Sequence, residues 1–247
     1  MIAPGKTLEN ALRIINHVMN YSSTPYWLCF GGLWGLVQND GVVPDGDLDI
    51  CTYYGMDHNR VAKAFAGSPG RYELHKTMIS DTEKDKALYC SFGSAAGFPH
   101  VCLTFWYLHD GIRYYCHDQH HEVETCGIPK SGYFFRGIPS YVTDNEPENF
   151  RMAEWPGIVQ STKIRVPRLV GIALDHLYPD WAFIKQRYEV RSGVVNNDKT
   201  ASVYKGGAVS PYAVHVGSMR DWNNETHVKN ELAKSKRDWE IKRKNIK

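Results

Sequence analysis

One hexapeptide, Asp45-Gly46-Asp47-Leu48-Asp49-Ile50, restricts what this chain can fold into more than any other stretch. Its acids fall on alternate positions and it runs on into Cys51, so its second half reads as a strand with one apolar and one acidic face. Asp47 and Asp49 then project from the same side, while Leu48 and Ile50 enter the core. Two carboxylates held that close repel each other, and burial raises the cost further unless a positive partner is present. A divalent cation is the economical partner. Mg²⁺ suits the pattern, because it takes one or two carboxylates and fills its remaining positions with waters and substrate phosphates. The competing reading is a turn at Asp45-Gly46-Asp47 whose acids cap local N–H groups, with Asp49 an ordinary surface acid.

Upstream, residues 26–30 read as a short buried strand that meets a tight turn at Gly31-Gly32, with a short helix opening from that turn over residues 33–39. Glycines lack a Cβ, and a helix N-terminus presents N–H groups, so the pair suits close approach to a phosphate. Leu8, Leu12, Ile15 and Met19 recur at helical spacing and predict an amphipathic helix over about residues 6–21. Residues 48–54 predict the second strand. A helix over 56–66 closed by Gly67 follows, then strands over 72–79, 87–92 and 100–108, and a hairpin turn at His109-Asp110-Gly111 into 112–116. Beyond Val166-Pro167 a helix is expected over 168–177, stopped at Tyr178-Pro179-Asp180-Trp181, then a loop over 192–207 and a Lys/Arg-rich helical tail over 223–247. The expected fold class is α+β: a mixed β-sheet with flanking helices and a more helical second half. Residues 1–130 are expected to form the catalytic core, and 131–247 a mainly helical region that completes the same unit.

Composition narrows the function classes. With 247 residues, 43% of them hydrophobic, the chain can bury an enzyme-sized core. A formal net charge of +2 gives no whole-surface basic field, so a nucleic-acid partner is not expected. The longest apolar run, residues 26–37, is too short for a bilayer span and is broken by Gly31 and Gly32. The N-terminal residues have no unbroken apolar core of the signal-peptide kind. Cys29, Cys51, Cys90, Cys102, Cys116 and Cys126 have no disulfide-framework spacing, which predicts reduced thiols and a cytoplasmic protein.

The Gly31-Gly32 pair after a strand, then Gly35, Gly41, Pro44 and Asp45-Gly46-Asp47-Leu48-Asp49-Ile50, resembles the signature of the LicD family, which includes bacterial phosphocholine transferases and fukutin-related protein. His100-Val101-Cys102-Leu103 falls where that family has its next active-site strand. Residues 166–181 are similar to its Pro-led helix. The resemblance implies a nucleotidyltransferase-type fold that moves a phosphorylated alcohol (phosphocholine, glycerol phosphate or ribitol phosphate) from a CDP-activated donor to a sugar hydroxyl of a glycan or lipid-linked sugar. It further implies that Asp47 and Asp49 hold Mg²⁺ or Mn²⁺, that Asp45 assists, and that Gly31, Gly32 and the position of Gln38 face the donor phosphates. Three departures accompany it: Gln38-Asn39 stands where the family has Arg-His, no Trp separates Pro44 from Asp45, and Cys102 replaces the usual third carboxylate. On the predicted strand His100, Cys102 and Thr104 share a face, so Asp45 or His100 is expected to deprotonate the acceptor. Nucleotidyl transfer on the same fold and a non-catalytic nucleotide-binding domain stay open as alternatives.

Three further groups stand out. Cys116, His117, His120, His121 and Cys126 form a Cys/His cluster with zinc-type ligands but no Cys-x-x-Cys hook. The tail interleaves its Lys and Arg with Glu231, Asp238 and Glu240 and with Trp222 and Trp239, which predicts a solvated helix packed by its aromatics; peripheral contact with an anionic membrane surface is the sharper alternative. Tyr133, Phe134, Phe135, Tyr141 and Trp155 are either sugar-stacking platforms or core.

Overall fold

The computed structural model describes residues 2–38, 40–43, 46–116, 133–158, 162–177 and 211–245. Helix α1 (Lys6–Tyr21) buries the stripe Leu8, Leu12, Ile15 and Met19, joined by Ala11, Ile14 and Val18. Strand β1 (Trp27–Leu28) leads into α2 (Phe30–Gln38), and β2 (Asp47–Tyr53) follows. Next comes α3 (His58–Ala66), whose first turn is capped by Asp57 accepting from the Arg60 N–H at 3.0 Å and which ends at Gly67. Strands β3 (Tyr72–Ile79), β4 (Ala87–Ser94), β5 (His100–His109) and β6 (Ile112–Cys116) come next. Asp110 and Gly111 make the β5–β6 hairpin with positive φ at both positions (46° and 71°), the geometry that matches strand twist. The second half adds β7 (Tyr133–Pro139), β8 (Phe150–Glu154), β9 (Lys163–Pro167), α4 (Val170–Leu177), β10 (Val214–Val216) and α5 (Glu225–Asn245).

The fold is α+β with a mixed sheet and flanking helices. Strand β5 is its centre, buried on both faces from Val101 to Trp106. β2 runs parallel to it along one edge; on the other, β4 pairs with its first half and β6 with its second, both antiparallel. β1 closes one side beside β2, while β7 and β10 extend the sheet from β6. β8 and β9 form a separate hairpin.

Helices cover both faces. On one, Leu48 and Ile50 of β2 align with Val101 and Leu103 of β5, and α3 closes over the layer through Phe65 on Phe92 and His58 on Phe105. On the other, Phe30 at the head of α2 packs on Trp106 and Tyr115, with ring centroids 6.2 and 4.6 Å away. A second apolar cluster joins Tyr114, Phe135, Val214 and Val216 to Trp222, which lies in the 3₁₀ turn Met219–Asn223 just before α5. Among the described residues, no helix is long and apolar enough to cross a membrane.

Two expectations are corrected. Gly31 and Gly32 do not form a turn after a strand: they belong to the first turn of α2, and the reversal is made by Phe30, whose φ of 45° lies in the left-handed region. That conformation is costly for a residue with a bulky side chain, and the burial of the Phe30 ring offsets it. Nor are all the thiols reduced, since Cys29 and Cys51 form a disulfide. Trp27 of β1 pairs with Cys51, so Cys29 leaves the strand within reach, at a Cα–Cα distance of 6.3 Å. The expectation of a cytoplasmic protein loses its cysteine argument with that bridge.

Candidate active site

The parallel register of β2 and β5 builds the site. Asp47 pairs with His100, Asp49 with Cys102 and Cys51 with Thr104, so these side chains leave the sheet on one face, the one carrying α2. β4 extends the rows: Ser91 lies opposite Cys102, and Tyr89 opposite Thr104. β3 adds Lys76 opposite Ser91. A row Lys76, Ser91, Cys102, Asp49 therefore crosses four strands, with His100 and Asp47 in the row beside it.

Oxygen atoms of Asp47 and Asp49 and the Sγ of Cys102 lie within 4.8 Å of one another. No other group of three or more such ligands occurs among the described residues. The Cys102 thiol donates to Asp47 Oδ2 at 3.1 Å and accepts from the Tyr89 hydroxyl at 3.0 Å. Burial, with the Asp49 and Asp47 charges behind it, pushes the thiol's pKa up, and burial does the same to Tyr89. Both groups stay protonated at neutral pH. The donor set of two half-buried carboxylates and one sulfur fits a single divalent cation, which would also relieve the repulsion between the two acids.

Helix α2 starts on top of this cradle. The Cys29 N–H donates to the Asp49 carbonyl at 3.1 Å, and a Cβ built on Gly32 would stand 3.8 Å from that same oxygen and 2.8 Å from Leu28 Cδ1. The distance to the Asp49 carbonyl is an ordinary van der Waals contact; the tight one is with Leu28, whose side chain a Cβ at position 32 would have to displace. The disulfide fixes the contact covalently, because Cys51 lies two residues beyond Asp49 on the same face. At the far end of α2, a Cβ on Gly35 would be 2.7 Å from the Val42 carbonyl oxygen. Trp155 clamps the returning chain by donating its Nε1–H to the Gly41 carbonyl at 2.8 Å.

The site residues expected from the sequence are distributed as follows. Asp47 and Asp49 stand together, His100 pairs with Asp47 across the ladder, and Gly32 lies beside the Asp49 carbonyl, while Gly31 is the second residue of α2; Asp45 lies outside the described residues, and Gln38 ends α2. His100 is exposed at the start of β5, and its ring meets that of His75 edge-on at 5.6 Å. Gly93 makes that pair possible, since a Cβ there would fall inside the His75 ring. His75, Lys76, Ser91 and Tyr89 were not singled out by sequence reasoning. Their only sequence signal is the two-residue period of β3 and β4, which becomes useful once the pairing partners are known.

Of the zinc-type cluster, Cys116 is buried against Met78 and the other four members lie outside the described residues. Phe135 and Trp155 are core, while Tyr141 is 52% exposed. Aromatics pack the tail: the Trp222 ring, in the 3₁₀ turn before α5, contacts Tyr107, His109, Tyr114 and Phe135, and Trp239 of α5 faces His176.

The profile of the LicD/FKTN/FKRP nucleotidyltransferase domain matches residues 23–134, which contain β1, α2, β2, the cradle and His100. No curated protein matches the chain significantly. Among solved structures, the antibiotic-resistance factor ANT(2'')-Ia is similar at 10% identity with a TM-score of 0.39: its solution structure is covered over 94% of its length by 96% of this chain. A crystal structure of the same factor with adenylyl-2''-tobramycin gives the same score and identity, over 99% of that chain and 96% of this one.

Proposed function

Since residues 23–134 belong to the LicD/FKTN/FKRP nucleotidyltransferase family, we propose that this transferase moves a phosphorylated alcohol from a CDP-activated donor to a sugar hydroxyl of a cell-surface or lipid-linked glycan. Phosphocholine, glycerol phosphate and ribitol phosphate are the alcohols in view. The observation that carries the reading is the pairing of Asp47 and Asp49 on one sheet face beneath the first turn of α2.

In this reading Asp47 and Asp49 hold Mg²⁺ or Mn²⁺, with Asp45 assisting, and the bound cation neutralises charge that develops on the donor phosphates. Gly31 and Gly32 lie in the part of α2 whose N–H groups are not used by the helix itself, and they offer those donors to the diphosphate. Gln38 sits at the far end of α2, where the family's cation is absent, and Lys76 supplies positive charge from β3 instead. The acceptor oxygen bonds to the distal phosphorus as the bond to CMP breaks, and His100 takes the hydroxyl proton. A peripheral membrane contact through the Lys/Arg-rich α5 would bring a lipid-linked acceptor within reach.

The test is product analysis. The protein is incubated with CDP-choline, CDP-glycerol or CDP-ribitol, a divalent cation and a glycan acceptor. CMP release that disappears with Asp47→Asn supports the reading; pyrophosphate release from a nucleoside triphosphate points to nucleotidyl transfer, and nucleotide binding without either product points to a non-catalytic domain.

A further inference from the structure

The third position of the cradle carries sulfur where a carboxylate is expected, and that sulfur is built into the site rather than placed at its edge. Cys102 is 7% exposed, sits directly opposite Asp49 in the ladder, and bonds to Asp47 Oδ2. The Tyr89 hydroxyl, on the neighbouring strand, donates to the same sulfur and fixes its direction. Two oxygens and one sulfur within 4.8 Å of one another form a mixed donor set. Carboxylates alone suit Mg²⁺, a hard ion that dehydrates reluctantly and prefers oxygen. A thiolate shifts preference towards softer ions that bind sulfur well.

We propose that Cys102 makes this cradle selective for thiophilic divalent cations, the class of Zn²⁺, Co²⁺ and Cd²⁺, over Mg²⁺. The inference rests on the proposed cation-holding role of Asp47 and Asp49 and replaces that reading's Mg²⁺ with a softer occupant. On binding, the cation takes the place of the thiol proton, which leaves to solvent, and the hydrogen bond from Cys102 to Asp47 gives way to shared ligation. Tyr89 keeps its donation to sulfur. Replacing the sulfur with a carboxylate restores the three-oxygen set and narrows the bias against Mg²⁺.

The experiment uses the full chain stripped of metal, without nucleotide, and reads absorption and heat as Cd²⁺, Co²⁺ and Mg²⁺ are added. The wild-type protein is expected to develop a sulfur-to-metal charge-transfer band with Cd²⁺ and Co²⁺. Cys102→Ser is expected to lose that band and to bind Cd²⁺ more weakly by about tenfold or more. Cys102→Asp is expected to gain affinity for Mg²⁺ by a similar factor. A wild-type protein without the band, a band of full height in Cys102→Ser, or equal Mg²⁺ affinity in wild type and Cys102→Asp each overturns the proposal. The double variant Asp47→Asn, Asp49→Asn separates the two readings: if it binds Cd²⁺ as tightly as wild type, the aspartate cradle itself is wrong. If it loses binding while Cys102→Ser does not, only the role of Cys102 falls.

Discussion

Removing the Cys29–Cys51 bridge with the pair Cys29→Ala, Cys51→Ala perturbs the junction between α2 and the aspartate strand at a single covalent point. The two cysteines are 22 residues apart. The loop-closure entropy returned to the unfolded chain at that separation is worth about 3 kcal/mol. Both sulfurs are buried, with Cys29 2% and Cys51 0% exposed, so the lost packing adds to that figure and does not reduce it. For a domain of this size each kcal/mol moves the midpoint by roughly 2–4 °C, giving an expected fall in Tm of about 6–12 °C. Circular dichroism melts of the wild type without reductant, the wild type with reductant and the double variant make the comparison. Mass spectrometry after alkylation in denaturant without reductant counts the blocked thiols. A Tm change below about 2 °C, or alkylation of Cys29 and Cys51 in denaturant without reductant, would refute the bridge and the stiffness it gives the site.

Three other perturbations have definite outcomes. Gly93→Ala is expected to evict the His75 ring from its slot at small cost in stability, and the ring-proton resonances of both His75 and His100 should move; unchanged shifts would mean the pair is not in contact. Gly35→Ala gains about 1 kcal/mol in helix propensity but drives a Cβ to within 2.7 Å of the Val42 carbonyl, so a net loss of about 1–2 kcal/mol is expected in urea titrations; Gly171→Ala in α4, where nothing lies within 4 Å, should be neutral or stabilising. Burial pushes Tyr53 and Tyr54 up to about 12, so the folded state holds these protons more tightly than the unfolded one. Their contribution is intact below the unfolded value of about 10 and is lost as pH rises through about 12, so the urea midpoint should fall over that window, and a flat profile would contradict it.

What the sequence made legible was local or carried by a strong period. The stripe of α1, the hairpin at Asp110-Gly111 and the alternation of Asp47 and Asp49 each follow from neighbours a few positions apart. The cation cradle was legible only in part. Alternation put two carboxylates on one face, but the sulfur bonds of Cys102 depend on a register between β2, β5 and β4 that no local pattern carries. Tyr89 was missed for that reason. The reversal before α2 was misassigned because glycine is the usual residue for positive φ, whereas here Phe30 takes that conformation and its ring is held by Trp106 and Tyr115. The disulfide was hidden because its partners meet only through the antiparallel pairing of a two-residue strand with β2. The hairpin β8–β9 is invisible for a similar reason: its apolar positions pack on distant elements, as Phe150 does on Trp27.

Calorimetric titration of the purified protein with CDP, CTP, UDP and ADP, with and without divalent cation, bears most directly on the central claim that Asp47 and Asp49 hold a cation for a cytidine-diphosphate donor. Cytidine-selective binding that requires the cation and is lost in the double variant Asp47→Asn, Asp49→Asn is expected. Binding that is absent, indifferent to the cation, or retained in the double variant would contradict it.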